Sequence, residues 1–99
     1  MRLAFIVCNE YLAPRLMQLL AAAGIDYYTR WDGALGKGRG TEPHLGRGGY
    51  GATNSVVMIA FEEDAPLEAL ARTIAAENEA TRRADDRIRL FQLPLERVL

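Results

Sequence analysis

The residues with the clearest chemical potential lie in one glycine-rich segment, residues 33–54, which is 22 residues long. Eight of the nine glycines of the chain lie in it, together with the basic residues Lys37, Arg39 and Arg47 and a single acid, Glu42. Glycines allow backbone amides to approach an anion closely, and nearby Lys or Arg side chains neutralise its charge. The segment therefore predicts a site for a phosphate, carboxylate or bicarbonate group. The predicted ligand-binding residues are Gly36, Lys37, Gly38, Arg39, Gly40 and, near the end of the chain, Arg89.

A second interpretation of the same segment is an arm that becomes ordered only on contact with a partner protein. Loops longer than about 12–15 residues are uncommon in compact domains and are usually functional or disordered. On this interpretation, the contacts to the partner come from charged and aromatic side chains of the segment, Glu42, His44, Arg47 and Tyr50. Anion binding, partner binding and simple disorder all remain open at the level of the sequence.

Two motif matches within the glycine-rich segment are rejected on their context. Residues 46–51 spell Gly-Arg-Gly-Gly-Tyr-Gly, a literal G-x-G-x-x-G. They precede a predicted strand rather than open a helix, so the pattern does not indicate a dinucleotide site. Residues 36–38, Gly-Lys-Gly, have no Ser or Thr after the lysine and therefore do not form a phosphate-binding P-loop.

A metal site is the alternative function, and it rests on the only histidine, His44, and the nearby Glu42. Zinc and copper sites normally need three or four protein ligands, so two candidates favour a metal only weakly. Cys8 is a further candidate ligand, but it ends an apolar run and is interpreted as a buried small hydrophobic residue rather than a nucleophile. The sequence contains no Ser-His-Asp arrangement and no carboxylate pair beside an electrophile, and we expect no enzymatic activity.

Length and composition bound the class of protein. Ninety-nine residues predict a single domain over residues 1–99, and a content of 49% hydrophobic and 25% charged residues is typical of a folded chain. The formal net charge of -1 provides no basic field for nucleic acid. The apolar runs are far shorter than the roughly 20 residues that span a bilayer, and the single cysteine fits a reducing compartment. We expect a cytoplasmic protein that is not embedded in a membrane.

Hydrophobic periodicity predicts elements in the order β-α-β-β-α-β. The predicted strands are residues 3–8, 25–31, 55–62 and 87–93. The first helix is predicted to start near Glu10 with Asn9 as its cap and to end at Gly24, and the second to open at Pro66. This order is typical of a ferredoxin-like α+β fold, in which two helices cover one face of an antiparallel sheet. Here a long loop, the glycine-rich segment, joins strands 2 and 3.

The second sheet face has no helix to cover it, which favours self-association, because large exposed apolar patches are rare on monomers. Three aromatic residues, Tyr27, Tyr28 and Trp31, fall in the second predicted strand. They either stack on a nucleobase or fill a face between subunits, and the second interpretation is favoured.

The order of these features resembles the PII signal-transduction superfamily over nearly the whole chain. Four motifs are similar to those of the family: Ala23-Gly24-Ile25 at the end of the first helix, Gly33 and Gly36 at the start of the long loop, Thr41-Glu42 within it, and the closing Leu-Pro-Leu-Glu-Arg-Val of residues 93–98. The resemblance implies a homotrimer with ligand clefts between subunits and a long T-loop that contacts a target protein. Typical members sense adenine nucleotides, often with 2-oxoglutarate.

The sequence also departs from the family pattern. The Gly-Asp-Gly-Lys loop that holds nucleotide phosphates corresponds to Asp-Arg-Ile-Arg at residues 86–89, where only Arg89 stands in place of the lysine. The loop lacks the glutamine used for Mg-ATP and 2-oxoglutarate, and the sequence stops at Leu99, before the paired arginines that clasp the nucleotide. These departures imply a divergent PII-like member rather than a nitrogen sensor proper.

Divergent PII-like proteins include forms that bind adenine nucleotides and bicarbonate. The resemblance therefore implies a non-enzymatic regulatory trimer that senses a small anionic ligand, an adenine nucleotide or a bicarbonate-type anion, and regulates a transporter or an enzyme through its T-loop. An adenine nucleotide is favoured over a metal as the bound group. The alternative is a metal-binding trimer like the CutA proteins, which share the fold, with His44 and Glu42 as ligands.

Overall fold

The computed structural model describes residues 1–39, 43–46 and 53–99. Its strands and helices follow the predicted order. The elements are β1 (Arg2–Asn9), α1 (Ala13–Ala22), β2 (Thr29–Ala34), β3 (Asn54–Phe61), α2 (Asp64–Glu79) and β4 (Arg89–Pro94). Short 3-10 helices, Glu10–Leu12 and Ala84–Asp86, precede α1 and β4. Within the described ranges, no helix has the length and apolar character needed to cross a membrane.

The four strands form one sheet in the order β2-β3-β1-β4, and every neighbouring pair is antiparallel. β1 lies between its two partners, so that Phe5 stands opposite Met58 of β3 and Phe91 of β4. Successive side chains of a strand point to opposite faces, and directly opposed residues share a face. The register therefore assigns each residue of the sheet to one of its two faces.

The hydrophobic core lies between one sheet face and both helices. Buried residues of β1 and β3 join those of the helices in a single cluster that includes Ala4, Ile6, Val57, Ile59 and Phe61 from the strands, Leu16, Leu19 and Leu20 from α1, and Leu67, Leu70 and Ile74 from α2. Burial of each large side chain contributes about 1.5–3 kcal/mol. Because both helices pack on the same cluster, they lie on the same face of the sheet, and the predicted ferredoxin-like α+β fold is confirmed.

The boundaries of α1 confirm one sequence prediction and correct another. Gly24 adopts φ +75°, and the N–H groups of Gly24 and Ile25 donate to the carbonyls of Ala21 and Leu20 at 3.0 and 2.9 Å, which is the expected glycine-ended helix terminus. The prediction that Asn9 caps the helix is wrong. Asn9 is the last residue of β1, and its Nδ2 donates instead to the main-chain oxygen of Asp85.

The second strand lies further along the chain than predicted. β2 covers Thr29–Ala34 rather than residues 25–31, and it enters the glycine-rich segment. The reason is its pairing with β3, since Ala34 stands opposite Asn54, the first residue of β3. Tyr27, which precedes β2, instead packs edge-on against Phe61 with the ring centroids 6.1 Å apart. β4 is likewise shifted, by about two residues, from the predicted 87–93.

The face of the sheet opposite the helices is apolar, and no helix of the described residues covers it, as the sequence predicted. Its residues, assigned by the register, include Phe5, Val7, Trp31, Val56, Met58 and Phe91. Trp31 is 47% exposed and Phe91 52% exposed. Of the three aromatic residues near strand 2, only Trp31 lies in β2.

Candidate functional site

The two ends of the glycine-rich segment are tied to the end of β1 by one carboxylate. The Oε1 atom of Glu10 accepts a hydrogen bond from the N–H of Gly33 at 2.8 Å, and its Oε2 accepts one from the hydroxyl of Thr53 at 2.9 Å. The main-chain N–H of Glu10 also donates to the carbonyl of Thr53 at 3.0 Å. Gly33 takes φ +74°, a conformation that favours glycine. The segment has two arms, one that begins at Gly33 and one that ends at Thr53, and the bonds to Glu10 fix both of these residues.

A further backbone pairing lies beyond the sheet. Gly36 and His44 form an isolated antiparallel bridge in which each main-chain N–H donates to the other residue's carbonyl at 2.7 Å. Between Trp31 and Ala34 the register of β2 shifts, which is the signature of a β-bulge and redirects the strand. The Gly36–His44 bridge is separate from the β2–β3 ladder, in which Ala34 stands opposite Asn54, and it pairs the start of the glycine-rich segment with its middle.

A side-chain contact accompanies this bridge. The Nδ1 atom of His44 lies 2.6 Å from Oδ1 of Asn54, within hydrogen-bond distance. Gly36 packs against the same amide, since a Cβ placed on it would lie 2.9 Å from Nδ2 of Asn54. A side chain at position 36 would therefore displace the amide of Asn54.

A cavity of about 360 Å³ lies at this end of the sheet. One wall is the base of the glycine-rich segment, with Gly36, Lys37, Gly38 and His44. The opposite wall is the second 3-10 helix and the start of β4, with Asp85, Arg87, Arg89 and Phe91. The floor is the end of β1 and the start of β3, with Val7, Asn9, Asn54 and Val56. The volume is within the usual range of small-molecule pockets, about 300–1,000 Å³.

The charged residues that line the cavity are mostly basic. Lys37 comes from one wall, and Arg87 and Arg89 come from the other. The acid among them is Asp85, whose Oδ2 lies 3.4 Å from Nη2 of Arg83. Within the part of the chain that the structure describes, no ion pair involves the guanidinium group of Arg87 or Arg89. The cavity therefore presents positive charge from two walls together with backbone of a glycine-rich strand, a combination that favours anions.

Two asparagines fix the wall that carries the arginines. Asn9, which is 3% exposed, donates from Nδ2 to the carbonyl of Asp85, and its Oδ1 has no hydrogen-bond partner among the described residues. Asn78 at the end of α2 makes both possible bonds to the backbone of Ile88, at 2.7 and 2.8 Å. These contacts set the path of the chain from the second 3-10 helix into β4.

The structure brings together several residues that the sequence singled out. Gly36, Lys37, Gly38, His44 and Arg89 all line the cavity. Arg39 is exposed and does not line it. Four further predicted residues lie outside the described residues: Gly40, Glu42, Arg47 and Tyr50. The assignment of ligand-binding and partner-binding roles to these residues stays a prediction.

Arg87, Asn9, Glu10 and Asn54 belong to this site although sequence analysis did not assign them to it. The sequence signal for Arg87 is its position two residues before Arg89, the first residue of β4. The other three act through contacts with residues 10 to 76 positions away, which no local pattern reveals.

The structure describes one further candidate ligand of a metal, Cys8. Cys8 is buried on the helix side of β1, and burial raises the pKa of its thiol to about 11. The interpretation of Cys8 as a buried small residue is confirmed. In the described ranges, no group of three or more His, Cys, Asp or Glu side chains is placed to hold a metal ion. The metal site at His44 and Glu42 stays a prediction, because Glu42 lies outside those ranges.

The chain combines a four-stranded antiparallel sheet that carries both helices on one face with a long connection between β2 and β3 and a cavity at the base of that connection. Solved structures with the same fold include CPII, a nitrogen regulatory PII-like protein from Thiomonas intermedia K12, bound to ADP, AMP and bicarbonate. That structure matches with a TM-score of 0.63 and 17% identity, covering 99% of this chain and 94% of CPII. A second CPII structure, bound to ADP and bicarbonate, matches with a TM-score of 0.68 and 17% identity, covering 97% of this chain and 88% of CPII.

These matches confirm the predicted PII resemblance at the level of the fold. No protein-family model and no curated protein sequence matches the chain.

Proposed function

We propose that this protein is a PII-like regulator, a non-enzymatic trimer that senses a small anionic ligand in the cavity and regulates a partner protein through the glycine-rich segment. The ligand classes that we propose are an adenine nucleotide and a bicarbonate-type anion. The partner that we propose is a transporter or an enzyme, and the proposed location is the cytoplasm.

The observation that carries the proposal is the distribution of charge around the cavity. Lys37 projects from the base of the glycine-rich segment, and Arg87 and Arg89 project from the facing wall. An anion between the walls contacts cations from both, so its binding favours one position of the segment over others. A ligand shifts a conformational equilibrium only by its difference in affinity for the two states. One wall of this cavity is the base of a long loop, so movement of the loop changes the distance between the walls and with it the affinity for an anion.

The comparison with CPII supports the choice of ligand. The CPII structures contain ADP, AMP and bicarbonate, all of which are anions. The charged side chains that line the cavity described above are mostly basic, and the cavity has the volume of a small-molecule site. The uncovered apolar sheet face supports the trimer, because exposed patches of this kind commonly mark association surfaces.

Isothermal titration calorimetry with ADP, AMP and bicarbonate, singly and in nucleotide–bicarbonate pairs, tests the ligand. We expect the double variant Lys37→Ala/Arg89→Ala to lose at least about tenfold in affinity, since hydrogen bonds to charged groups contribute about 1.5–3 kcal/mol. Arg82→Ala is the matched control, because Arg82 is exposed and does not line the cavity. Binding by the double variant that equals the wild type would remove the proposed site. A wild-type protein that binds none of these probes would remove the proposed ligand class.

A further inference from the structure

The two walls of the cavity are held by two consecutive residues of the chain. Asn9 bonds to the carbonyl of Asp85 in one wall, and Glu10 bonds to Gly33 and Thr53 at the base of the other. Asn9 is the last residue of β1, the strand that is bonded on both sides within the sheet, and Glu10 follows it directly as the first residue of the 3-10 helix. The contacts of Asn9 and Glu10 therefore fix the positions of both walls relative to β1.

We propose that Glu10 is the positioning residue of the anion site. It does not line the cavity, but its carboxylate fixes the two ends of the glycine-rich segment and so places the wall of Gly36, Lys37 and His44 opposite the arginines. This inference rests on the proposed function for its ligand, and it goes beyond that function by assigning the control of wall position to a residue outside the cavity.

The chemistry of Glu10 fits this role better than a role in general stability. Its two carboxylate oxygens bond to opposite ends of the segment, which are 20 residues apart in sequence, so one side chain closes the whole loop. Bonds to an ionised acceptor are about twice as strong as neutral ones. Glu10 is only partly buried and is not part of the hydrophobic core. Its loss should therefore open the hairpin base without unfolding the sheet.

Further contacts connect the residues that Glu10 binds to the residues that line the cavity. Gly33 is followed by the Gly36–His44 bridge, and Thr53 is followed by Asn54, which bonds to His44. If either end is released, the bridge loses one of its fixed supports. Lys37 then samples positions away from the facing arginines, and an anion between the walls loses part of its binding energy.

The test is amide hydrogen exchange by NMR on wild type, Glu10→Ala and Glu10→Gln, combined with titration of ADP and of bicarbonate. We expect Glu10→Ala to raise exchange at Gly33, Gly36 and His44 by about tenfold or more, because local opening and not global unfolding limits exchange there. Amides of the central strands, such as those of Ile6 and Ile59, should be unchanged. Glu10→Gln keeps one carbonyl acceptor, so it should give a smaller increase.

Two controls separate positioning from a general loss of structure. Thr53→Val removes one of the side-chain bonds to Glu10 and should cause a partial increase at the same amides, whereas Glu68→Ala on the exposed side of α2 should cause none. A uniform rise across core and loop amides, or no rise at all, would overturn the proposal.

The ligand titrations separate this proposal from the proposed function. A wild-type protein that binds neither ADP nor bicarbonate contradicts the proposed function, while the amide pattern still decides the role of Glu10 in holding the wall. If the wild type binds and the loop amides of Glu10→Ala exchange faster, the affinity must also fall. Unchanged affinity in that variant would overturn the assignment of Glu10 as a positioning residue of the site.

Discussion

The Nδ1 atom of His44 lies 2.6 Å from Oδ1 of Asn54, and this contact joins the middle of the glycine-rich segment to the start of β3 beside the cavity. Asn54 is the first residue of β3, so its backbone is fixed by the sheet. His44 is fixed in turn by its bridge to Gly36. Three residues from different parts of the segment thus form one compact unit at the wall of the site.

The substitution Gly36→Ala tests this unit. A Cβ at position 36 would lie 2.9 Å from Nδ2 of Asn54, so the amide must move and weaken its bond to His44. We expect a loss of about 0.5–1.5 kcal/mol in the free energy of unfolding, the net contribution of one hydrogen bond, measured by urea denaturation. The double variant Gly36→Ala/Asn54→Ala restores the space, and its loss should be smaller than the sum of the two single losses. Additive losses would contradict the steric explanation.

Asp32 gives rise to a prediction about acid stability. The hydroxyl of Ser55, at 2.6 Å, and the guanidinium of Arg30, at 2.8 Å, both donate to its Oδ1, and they lower the pKa of the Asp32 carboxyl below its ordinary value. A lowered folded-state pKa stabilises the fold above the unfolded-state value, near 3.9, and this stabilisation is lost as the pH falls through the folded-state value.

The free energy of unfolding of the wild type should therefore fall more steeply below about pH 4 than that of Asp32→Asn, which cannot ionise. Urea denaturation at a series of pH values from 6 to 3 measures the difference. Asp26→Asn is the control, since Asp26 is exposed and makes no hydrogen bond with the described residues, and its pH profile should follow that of the wild type. Parallel profiles for the wild type and Asp32→Asn would show that these contacts do not contribute to the stability of the folded state.

The sequence was sufficient to predict the elements whose formation depends on local pattern. The apolar run that forms β1 and the glycine that ends α1 at position 24 both carry their signal within a few residues. β2 was misplaced because its limits depend on pairing with Asn54 across the hairpin, and the aromatic run before Thr29 has strong strand character without a partner in the sheet. The limits of a strand depend on the neighbouring strand to which it is hydrogen-bonded, and the sequence of one segment does not show where that pairing ends.

The same distinction applies to the site. Glycines and cations in one segment indicated an anion site, and Gly36, Lys37 and Gly38 do line the cavity. The contribution of Arg87 and the role of Glu10 depend on which parts of the chain meet at the end of the sheet. Such contacts follow from topology and not from residue spacing, so they became visible only in the folded chain.

The thiol of Cys8 should react slowly in the folded protein. Burial raises its pKa to about 11, so at pH 8 roughly one thiol in a thousand is ionised, and the thiolate is the reactive form. Alkylation by iodoacetamide at pH 8, followed by mass spectrometry, should be at least about a hundredfold slower than for an exposed cysteine. The same protein in guanidinium chloride is the control and should react at the normal rate. Rapid alkylation under native conditions would show that the end of β1 opens readily.

The apolar sheet face that no helix covers predicts where copies of this chain associate. Phe91 is 52% exposed and lies on the edge strand β4, opposite Phe5 on the apolar face. If copies of the chain cover this face in the proposed trimer, each buries one Phe91, which contributes about 1.5–3 kcal/mol per copy. Phe91→Asp should therefore give a monomer in sedimentation velocity at micromolar concentration, with its far-UV circular dichroism unchanged.

The neighbouring substitution Gln92→Asp is the matched control for this experiment. Gln92 stands opposite Ala4, whose side chain lies in the core, so position 92 belongs to the other face of the sheet although it is exposed at the edge. The two variants introduce the same charge one residue apart on β4, and only Phe91→Asp should dissociate the trimer. If both variants keep the oligomeric state of the wild type, the apolar face is not the association surface. If the wild type itself sediments as a monomer, the trimer is wrong, and the exposed Phe91 needs another explanation.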